Sequence, residues 1–375
     1  MLQNHLAVID CLLDQYSLAD FSSVDRHMLA DPTYGGNPNF AVIRSVRGTA
    51  FLQKYELEGR NPSHINAALE NYEKVVELYP TWGKRWLSPG VVTYLSLFVF
   101  RLTKEPGLDF IQENRALILW GKVLEILEEE ADYWLATPLP LTPWISFESW
   151  DTKAEENAWL AGPFAAAEVF LPKAENRPKW AARARMLAYN AITRPSDPPY
   201  IPPADSPYQE VIKTITVSEE FVLVNHGEES PFYANATLLL LQLGALPYRV
   251  TGQEIPPEFY HNVSGLWEKA RSYIATGPKG EFLVDQNGEY YWNRNNLIDP
   301  AKPMNFPWAM GQEYSLESTF VAQQAESGFI WSVYPVKVVG DIMTNGTIAW
   351  YTVQNHKGGW YHQIGSYEWH WPTAQ

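Results

Sequence analysis

The sequence has 375 residues, of which 46% are hydrophobic and 19% charged, a composition typical of a globular protein. Its formal net charge of −15 argues against a nucleic-acid partner, which would require a clustered basic face. Cys11 is the one cysteine, which excludes an intramolecular disulfide and a cysteine-based zinc site.

The N-terminal segment lacks the features of a secretion signal. It has no basic stretch before its apolar residues, and Asp10 and Asp14 interrupt the apolar run. The longest apolar stretch, residues 91–100, is too short to span a bilayer. The sequence therefore predicts a cytoplasmic protein with no membrane span.

Periodic apolar residues, separated by proline and glycine, predict a largely helical chain. The acidic run at 128–130 is predicted to be a solvated helix face. Pro247 is predicted to end the helix that begins at Pro231. The predicted helices lie at 1–30, 40–57, 63–79, 84–104, 109–134, 152–170, 178–193, 207–216, 231–246 and 256–275.

The chain changes character after Gly277, where turn residues become frequent and β-branched and aromatic residues cluster. Residues 356–359, His-Lys-Gly-Gly, are predicted to close a hairpin near the C-terminus. We therefore predict two parts, a helical body at 1–276 and a mixed, aromatic-rich tail at 277–375 that packs on it. Strands are expected at 331–339, 347–353 and 360–371.

Helices joined by short, proline-marked turns predict an array of helical hairpins. Such an array is either an open solenoid or a closed α/α toroid. The sequence contains no clean repeat of fixed period, which favours the toroid because its hairpins need not resemble one another. The fold class predicted is therefore mainly α, an α/α toroid or open hairpin array with a short β-containing C-terminal segment.

An acidic cluster precedes the helix predicted near residue 152. Thr152 and Glu155 have the spacing of a capping box, which accounts for those two residues structurally. Asp151, Glu156 and Asn157 are not explained by a cap, and two acids can act as an acid/base pair. Three tryptophans that can line a sugar site lie close by in sequence, Trp144, Trp150 and Trp159.

A second polar group lies where a short apolar run meets a buried helix. Asn225 and His226 stand in the loop, and Tyr233 follows in the first turns of the helix. Histidine can serve as a general base near neutral pH, and a neighbouring amide can stabilise a substrate oxygen. In a toroid, the inner helices begin at one rim, so this group and the acidic cluster are predicted to meet in one funnel.

The Asn-His pair, the following tyrosine and the predicted toroid resemble the heparinase-type and alginate-type polysaccharide lyases. The resemblance implies that Asn225 and His226 neutralise a uronate carboxylate and that Tyr233 transfers a proton. It implies a small-molecule or oligosaccharide substrate and no cofactor. Under this hypothesis Glu156 and Asp151 complete the catalytic set. The expected substrate-binding residues are Trp150, Trp159, Trp144, Asn157 and Arg294.

Two other functions remain open at this stage. The first is a cyclase or synthase for an isoprenoid-like substrate, in which Asp151, Glu155 and Glu156 hold Mg²⁺, since the ion prefers oxygen ligands. The second is a non-catalytic helical scaffold with an extended concave face. The sequence leaves the oligomeric state undetermined.

Overall fold

A computed structural model describes most of the helical part of the chain and the backbone of a few strands beyond it. The strands beyond the helical part are at 329–332, 348–351, 353–354 and 360–361. The other described residues are 13, 38–85, 88–137, 153–209, 211–225, 228–229 and 231–272.

These residues are mainly helical and belong to two compact units. Of the described helical residues, the first unit holds those up to 137 and Gly162–Trp180. The second holds 153–161 and the residues from Ala181 onward. The division falls within two helices, α6 (Ala154–Phe170) and α7 (Arg177–Ala191). The predicted boundary at residue 276 lies outside the described residues.

The first unit is built on five helices that precede α6. Two of them begin with the caps that their sequences favour. The Asn61 side chain accepts a hydrogen bond from the backbone of Ser63, with Pro62 at the first helical position. Asp109 and Gln112 form a reciprocal capping box. The helices are α1 (Pro38–Leu57), α2 (Pro62–Glu77), α3 (Tyr79–Trp82), α4 (Ser88–Leu102) and α5 (Phe110–Ala136).

Four of these helices contact one another in a ring. Helix α1 packs on α2 and α4, and α5 packs on α2 and α4. Helix α4 is buried over most of its length, since its sequence is apolar almost all round. Fully buried aromatic side chains fill the core of this unit, among them Tyr55, Tyr72, Trp82 and Phe98.

The prediction that residues 128–130 form a solvated face is wrong for Glu130. Glu128 and Glu129 are exposed, but Glu130 is fully buried. Its carboxylate accepts hydrogen bonds from the hydroxyl of Tyr79 at 2.9 Å and from the indole of Trp134 at 2.7 Å. The backbone of Lys84 and the hydroxyl of Ser88 donate as well. These donors compensate for the loss of water, which a sequence pattern does not reveal.

The second unit contains a hairpin, a long helix and a short helical pair. Strands β1 (Val224–Asn225) and β2 (Glu228–Glu229) pair antiparallel. Helix α8 (Pro231–Val250) follows, and then a 3₁₀ helix (Pro257–Tyr260) leads into α9 (Val263–Ser272). Helix α8 continues through Pro247, contrary to prediction, because the buried Leu246 and Tyr248 hold it in the core.

The helix predicted at 207–216 is absent from the described residues of that segment, which run as irregular chain. Tyr200 and Ile212 form an isolated antiparallel bridge. Thr214 donates from its backbone to Asn190 Oδ1 at 2.8 Å, and Thr216 donates from its hydroxyl to the carbonyl of Ala191 at 2.9 Å. These bonds to the end of α7 replace the bonds that a helix would have made.

Beyond residue 272 the described backbone contains four short strands. Strand β3 (Phe329–Ser332) pairs in parallel with β4 (Ile348–Tyr351). Strand β5 (Val353–Gln354) pairs antiparallel with β6 (Trp360–Tyr361), and the turn predicted between them at 356–359 lies outside the described residues. Of the helices described, none is long and apolar enough to cross a membrane.

Candidate functional site

A cluster of polar side chains gathers where α7 ends and the 3₁₀ helix passes into α9, all within the second unit. At its centre is the carboxylate of Asp197, which is buried. Arg194 donates to it from its backbone at 2.7 Å and from its guanidinium at 2.8 Å. Asn262 donates from its side-chain nitrogen to Asp197 Oδ2 at 2.5 Å. The carboxylate is therefore fixed by donors from two separate parts of the chain.

His261 stands beside this carboxylate. Its Nε2 lies 3.7 Å from Asp197 Oδ2 and 3.1 Å from Nδ2 of Asn262. Its side chain retains 19% of its exposure, so one part of the imidazole reaches solvent while the rest is covered. This partial exposure leaves the imidazole able to meet a substrate, whereas the carboxylate of Asp197 is buried.

An aromatic stack fixes the plane of the imidazole. The rings of Tyr189 and His261 are 3.8 Å apart between centroids and 14° apart in plane. The hydroxyl of Tyr189 donates to the carbonyl of Pro198 at 2.9 Å, which holds the tyrosine ring in position. Tyr200 packs against Tyr189 from another side, with a centroid distance of 5.5 Å. The imidazole therefore stacks on a tyrosine ring whose position is fixed by other contacts.

The loop that carries Asp197 is itself tied down. Lys213 donates to the carbonyl of Pro195 at 2.5 Å and to the backbone carbonyl of Asp197. Asn262 also donates to the carbonyl of Ile192 at 2.9 Å. Asn262 has a φ of 58°, in the left-handed region that asparagine adopts more readily than most residues.

The protonation states of the central pair follow from these contacts. Burial alone would raise the pKa of Asp197, but the bonds from Arg194 and Asn262 outweigh it and lower the pKa below 3.8. Burial lowers the pKa of His261 below 6.5; the charge of Asp197 opposes this shift and that of Arg194 adds to it. At neutral pH the cluster thus contains an ionised carboxylate beside a neutral imidazole, which is the form of histidine that accepts a proton.

The acidic cluster predicted from the sequence lies at the start of α6. Glu155, Glu156 and Asn157 are all buried there. Glu156 pairs with Lys153 at 2.8 Å, and Asn157 donates to the carbonyl of Asn190 at 3.0 Å. These three side chains are packed inside the protein and are not the solvent-exposed acids that are usual in a first helical turn. Trp159 is half-buried on the same helix.

The predicted capping box does not fit the start of α6. The helix begins at Ala154, so the residue that precedes it is Lys153, whose φ is 58°. Thr152 and Asp151 lie outside the described residues.

The second predicted group is described only in part. Tyr233 is buried in the first turn of α8, and its carbonyl accepts from the Thr237 hydroxyl at 2.8 Å. Asn225 lies in β1, and only its backbone is described. Convergence of this group with Glu156 remains a prediction. The predicted residues that lie outside the described ones are His226, Asp151, Trp144, Trp150 and Arg294.

Within the described ranges, no group of three or more His, Cys, Asp or Glu side chains is placed to hold a metal ion. The magnesium site considered from the sequence requires Asp151, which is outside those ranges. That site therefore remains a hypothesis, based on Glu155 and Glu156.

Sequence reasoning missed the cluster around His261. Residues 194–199 follow the helix predicted at 178–193, and His261 and Asn262 fall inside the helix predicted at 256–275. One signal was available: His261 and Asn262 repeat, in reverse order, the residue pair at 225–226, and they stand directly before a helix, α9. Comparisons of the chain with protein-family models, with curated proteins and with solved structures found no match.

Proposed function

We propose that this protein is an enzyme that acts on a sugar or uronate substrate by acid–base chemistry, with His261 as the proton acceptor. The observation that supports this best is the neutral, partly exposed imidazole of His261, stacked on Tyr189 and held beside the ionised Asp197. A base with these properties is matched to proton transfer near neutral pH.

The composition of the cluster supports the same substrate class. The lyases that the chain resembles use asparagine, histidine and tyrosine, and Asn262, His261 and Tyr189 provide those three residue types together. In an elimination, His261 would take the C5 proton of a uronate while the C4–O bond breaks and a C4–C5 double bond forms. The departing oxygen would gain a proton from a second group, for which a tyrosine hydroxyl is suited.

The group predicted at Asn225, His226 and Tyr233 remains part of this proposal as the alternative location of the same chemistry. Under that alternative, the helical body is an α/α toroid in which this group meets Glu156. The two locations differ in which histidine is indispensable, so one experiment separates them.

The test is an activity screen with three histidine variants. The purified full chain would be incubated with oligomers of glucuronate, mannuronate and neutral hexoses. Ultraviolet absorbance of an unsaturated product reports elimination, and new reducing ends without that absorbance report hydrolysis. We expect His261→Gln to abolish turnover. His64→Gln is the control, because His64 also lies beside a carboxylate, that of Glu58 at 2.8 Å, but in the first unit.

Each outcome has a defined meaning. Loss of turnover in His226→Gln alone would place the chemistry at the predicted group of Asn225, His226 and Tyr233 and overturn the role of His261. Absence of turnover on every oligomer would overturn the enzymatic proposal and favour the helical scaffold.

A further inference from the structure

The outer face of α5 presents large apolar side chains to solvent. The inner face of this helix is buried where it packs on α2 and α4, with Leu119, Val123 and Leu127 among its buried residues. Four apolar side chains of the outer face are 59–79% exposed: Phe110, Ile111, Leu117 and Ile118. Single exposed apolar residues are ordinary, whereas a contiguous group of them marks an interaction surface. We call these four residues the α5 patch.

The α5 patch has the arrangement of a surface that can pair with a copy of itself. Phe110 and Leu117 are seven positions apart, and so are Ile111 and Ile118. Seven residues make about two helical turns, so each pair follows one side of the face. Asn114, which is exposed, stands midway between the members of both pairs.

An antiparallel contact with a second α5 helix, centred on Asn114, matches the patch with itself. Phe110 of one copy then meets Leu117 of the other, and Ile111 of one copy meets Ile118 of the other. A two-fold axis requires such a self-complementary surface, in which each contact occurs twice. A helix from a different protein would not require the patch to be symmetric about Asn114.

The amide of Asn114 suits a position on a two-fold axis. Its Nδ2 donates to the carbonyl of Phe110 at 2.7 Å. An amide has two N–H groups and an acceptor oxygen, so Asn114 can still donate to and accept from a second amide. In paired helices, a single asparagine among apolar contacts fixes the register of the pair.

We propose that two copies of this chain form a homodimer through the α5 patch, with the α5 helices antiparallel and Asn114 at the two-fold axis. The four apolar residues expose about 500 Å² on each copy, so the pair buries about 1,000 Å², close to the lower limit for a specific interface. The dimer is therefore expected to be weak and reversible. This inference is independent of the proposed function, since all of its residues lie in the first unit.

The first test is sedimentation of the full chain from nanomolar to high micromolar concentration. We expect a monomer–dimer equilibrium for the wild type. Ile118→Glu should raise its dissociation constant more than a hundredfold, because each dimer would bury two carboxylates without partners. Ile201→Glu is the matched control, since Ile201 is 70% exposed in the second unit, and it should dimerise as the wild type does. Added salt should strengthen the dimer, because it screens the repulsion between two chains of net charge −15.

The second test locates the axis by disulfide trapping and does not depend on the folding of Ile118→Glu. Cys11→Ser first removes the chain's one cysteine. In that background, Asn114→Cys should form an intermolecular disulfide under mild oxidation. Ile118→Cys should not, because two copies of residue 118 lie about 12 Å apart along antiparallel helices, which is beyond disulfide reach. A mixture of Ile111→Cys and Ile118→Cys chains should cross-link.

Three results would overturn the inference. The first is a chain that stays monomeric at every concentration, which would leave the α5 patch to a different partner. The second is an Ile118→Glu variant that is folded by circular dichroism and dimerises as the wild type does. The third is a disulfide that forms in Ile118→Cys as readily as in Asn114→Cys, which would show parallel helices.

Discussion

The imidazole of His261 lies flat on the ring of Tyr189, with the two centroids 3.8 Å apart. This contact removes water from one face of the imidazole, and burial is the largest contribution to its lowered pKa. The tyrosine thus sets both the orientation of the histidine and the pH range in which it can accept a proton.

The first prediction concerns the titration of His261. Tyr189→Ala exposes the imidazole, so its pKa should rise towards 6.5, the value of an unperturbed histidine. Proton NMR of the full chain, with the His261 resonances assigned through His261→Gln, measures this directly. In Tyr189→Phe the stack is retained and the pKa should move less. An unchanged pKa in Tyr189→Ala would contradict the role given to the stack.

The second prediction concerns the pH dependence of turnover. His261 is neutral above its folded pKa, so turnover should rise with pH through that value, which lies below 6.5, and then level off. In Tyr189→Ala the rising limb should move to higher pH. A limb that stays in place in this variant would show that another group controls the rate.

The third prediction concerns the carboxylate of Asp197. Asp197→Asn cannot accept all the bonds from Arg194 and Asn262, and we expect a loss of about 2 kcal/mol in the free energy of unfolding at neutral pH. The pKa of Asp197 is lower in the folded chain than its ordinary 3.8. Its contribution is therefore fully present above pH 3.8 and is lost as pH falls through the folded pKa. Denaturant unfolding at several pH values measures both effects, and equal pH dependence in variant and wild type would contradict this account.

The fourth prediction concerns the buried Glu130. Burial raises its pKa above 4.5, although its hydrogen bonds oppose the shift. The folded chain thus holds the proton more tightly than the unfolded chain, so the contribution of Glu130 to stability decreases as pH rises from 4.5 through the folded pKa. Glu130→Gln should abolish that decrease. It should also lower stability by about 1–3 kcal/mol at neutral pH, since an amide nitrogen cannot accept from the donors around it. Glu128→Gln, at an exposed position on the same helix, is the control.

The fifth prediction compares two helical glycines. A Cβ built on Gly265 in α9 would lie 2.1 Å from the ring of Phe221, whereas one built on Gly121 in α5 meets no atom within 4 Å. Gly265→Ala should therefore destabilise the chain by about 1–3 kcal/mol. Gly121→Ala should stabilise it by about 0.5–1 kcal/mol, because alanine favours the helix. Thermal unfolding of both variants tests the pair, and the same sign for both would contradict it.

The helices were largely predictable because their signals are local. Asn61-Pro62 and the Asp109–Gln112 pair mark helix starts within a few residues of sequence, and apolar periodicity marks the buried faces. The sequence failed where distant residues decide. Glu130 is buried because Tyr79 and Ser88, more than 40 positions away, donate to it. Thr214 and Thr216 lie in irregular chain because the end of α7 provides their hydrogen-bond partners.

The candidate site was not predictable for the same reason. Asp197 and Asn262 are 65 positions apart, and nothing in either local sequence requires them to meet. The acidic residues at the start of α6 were found from their pattern. Their burial was not, because it depends on the packing of the second unit.

Asn262 combines two requirements that few side chains meet together. Its backbone needs the left-handed conformation, and its amide must reach both Ile192 and Asp197. Glycine would adopt the conformation but lose the amide, and glutamine would keep the amide at a backbone angle it resists. In a library of all substitutions at this position, folding and activity would therefore both select asparagine. Another residue here would require compensating changes elsewhere in the turn.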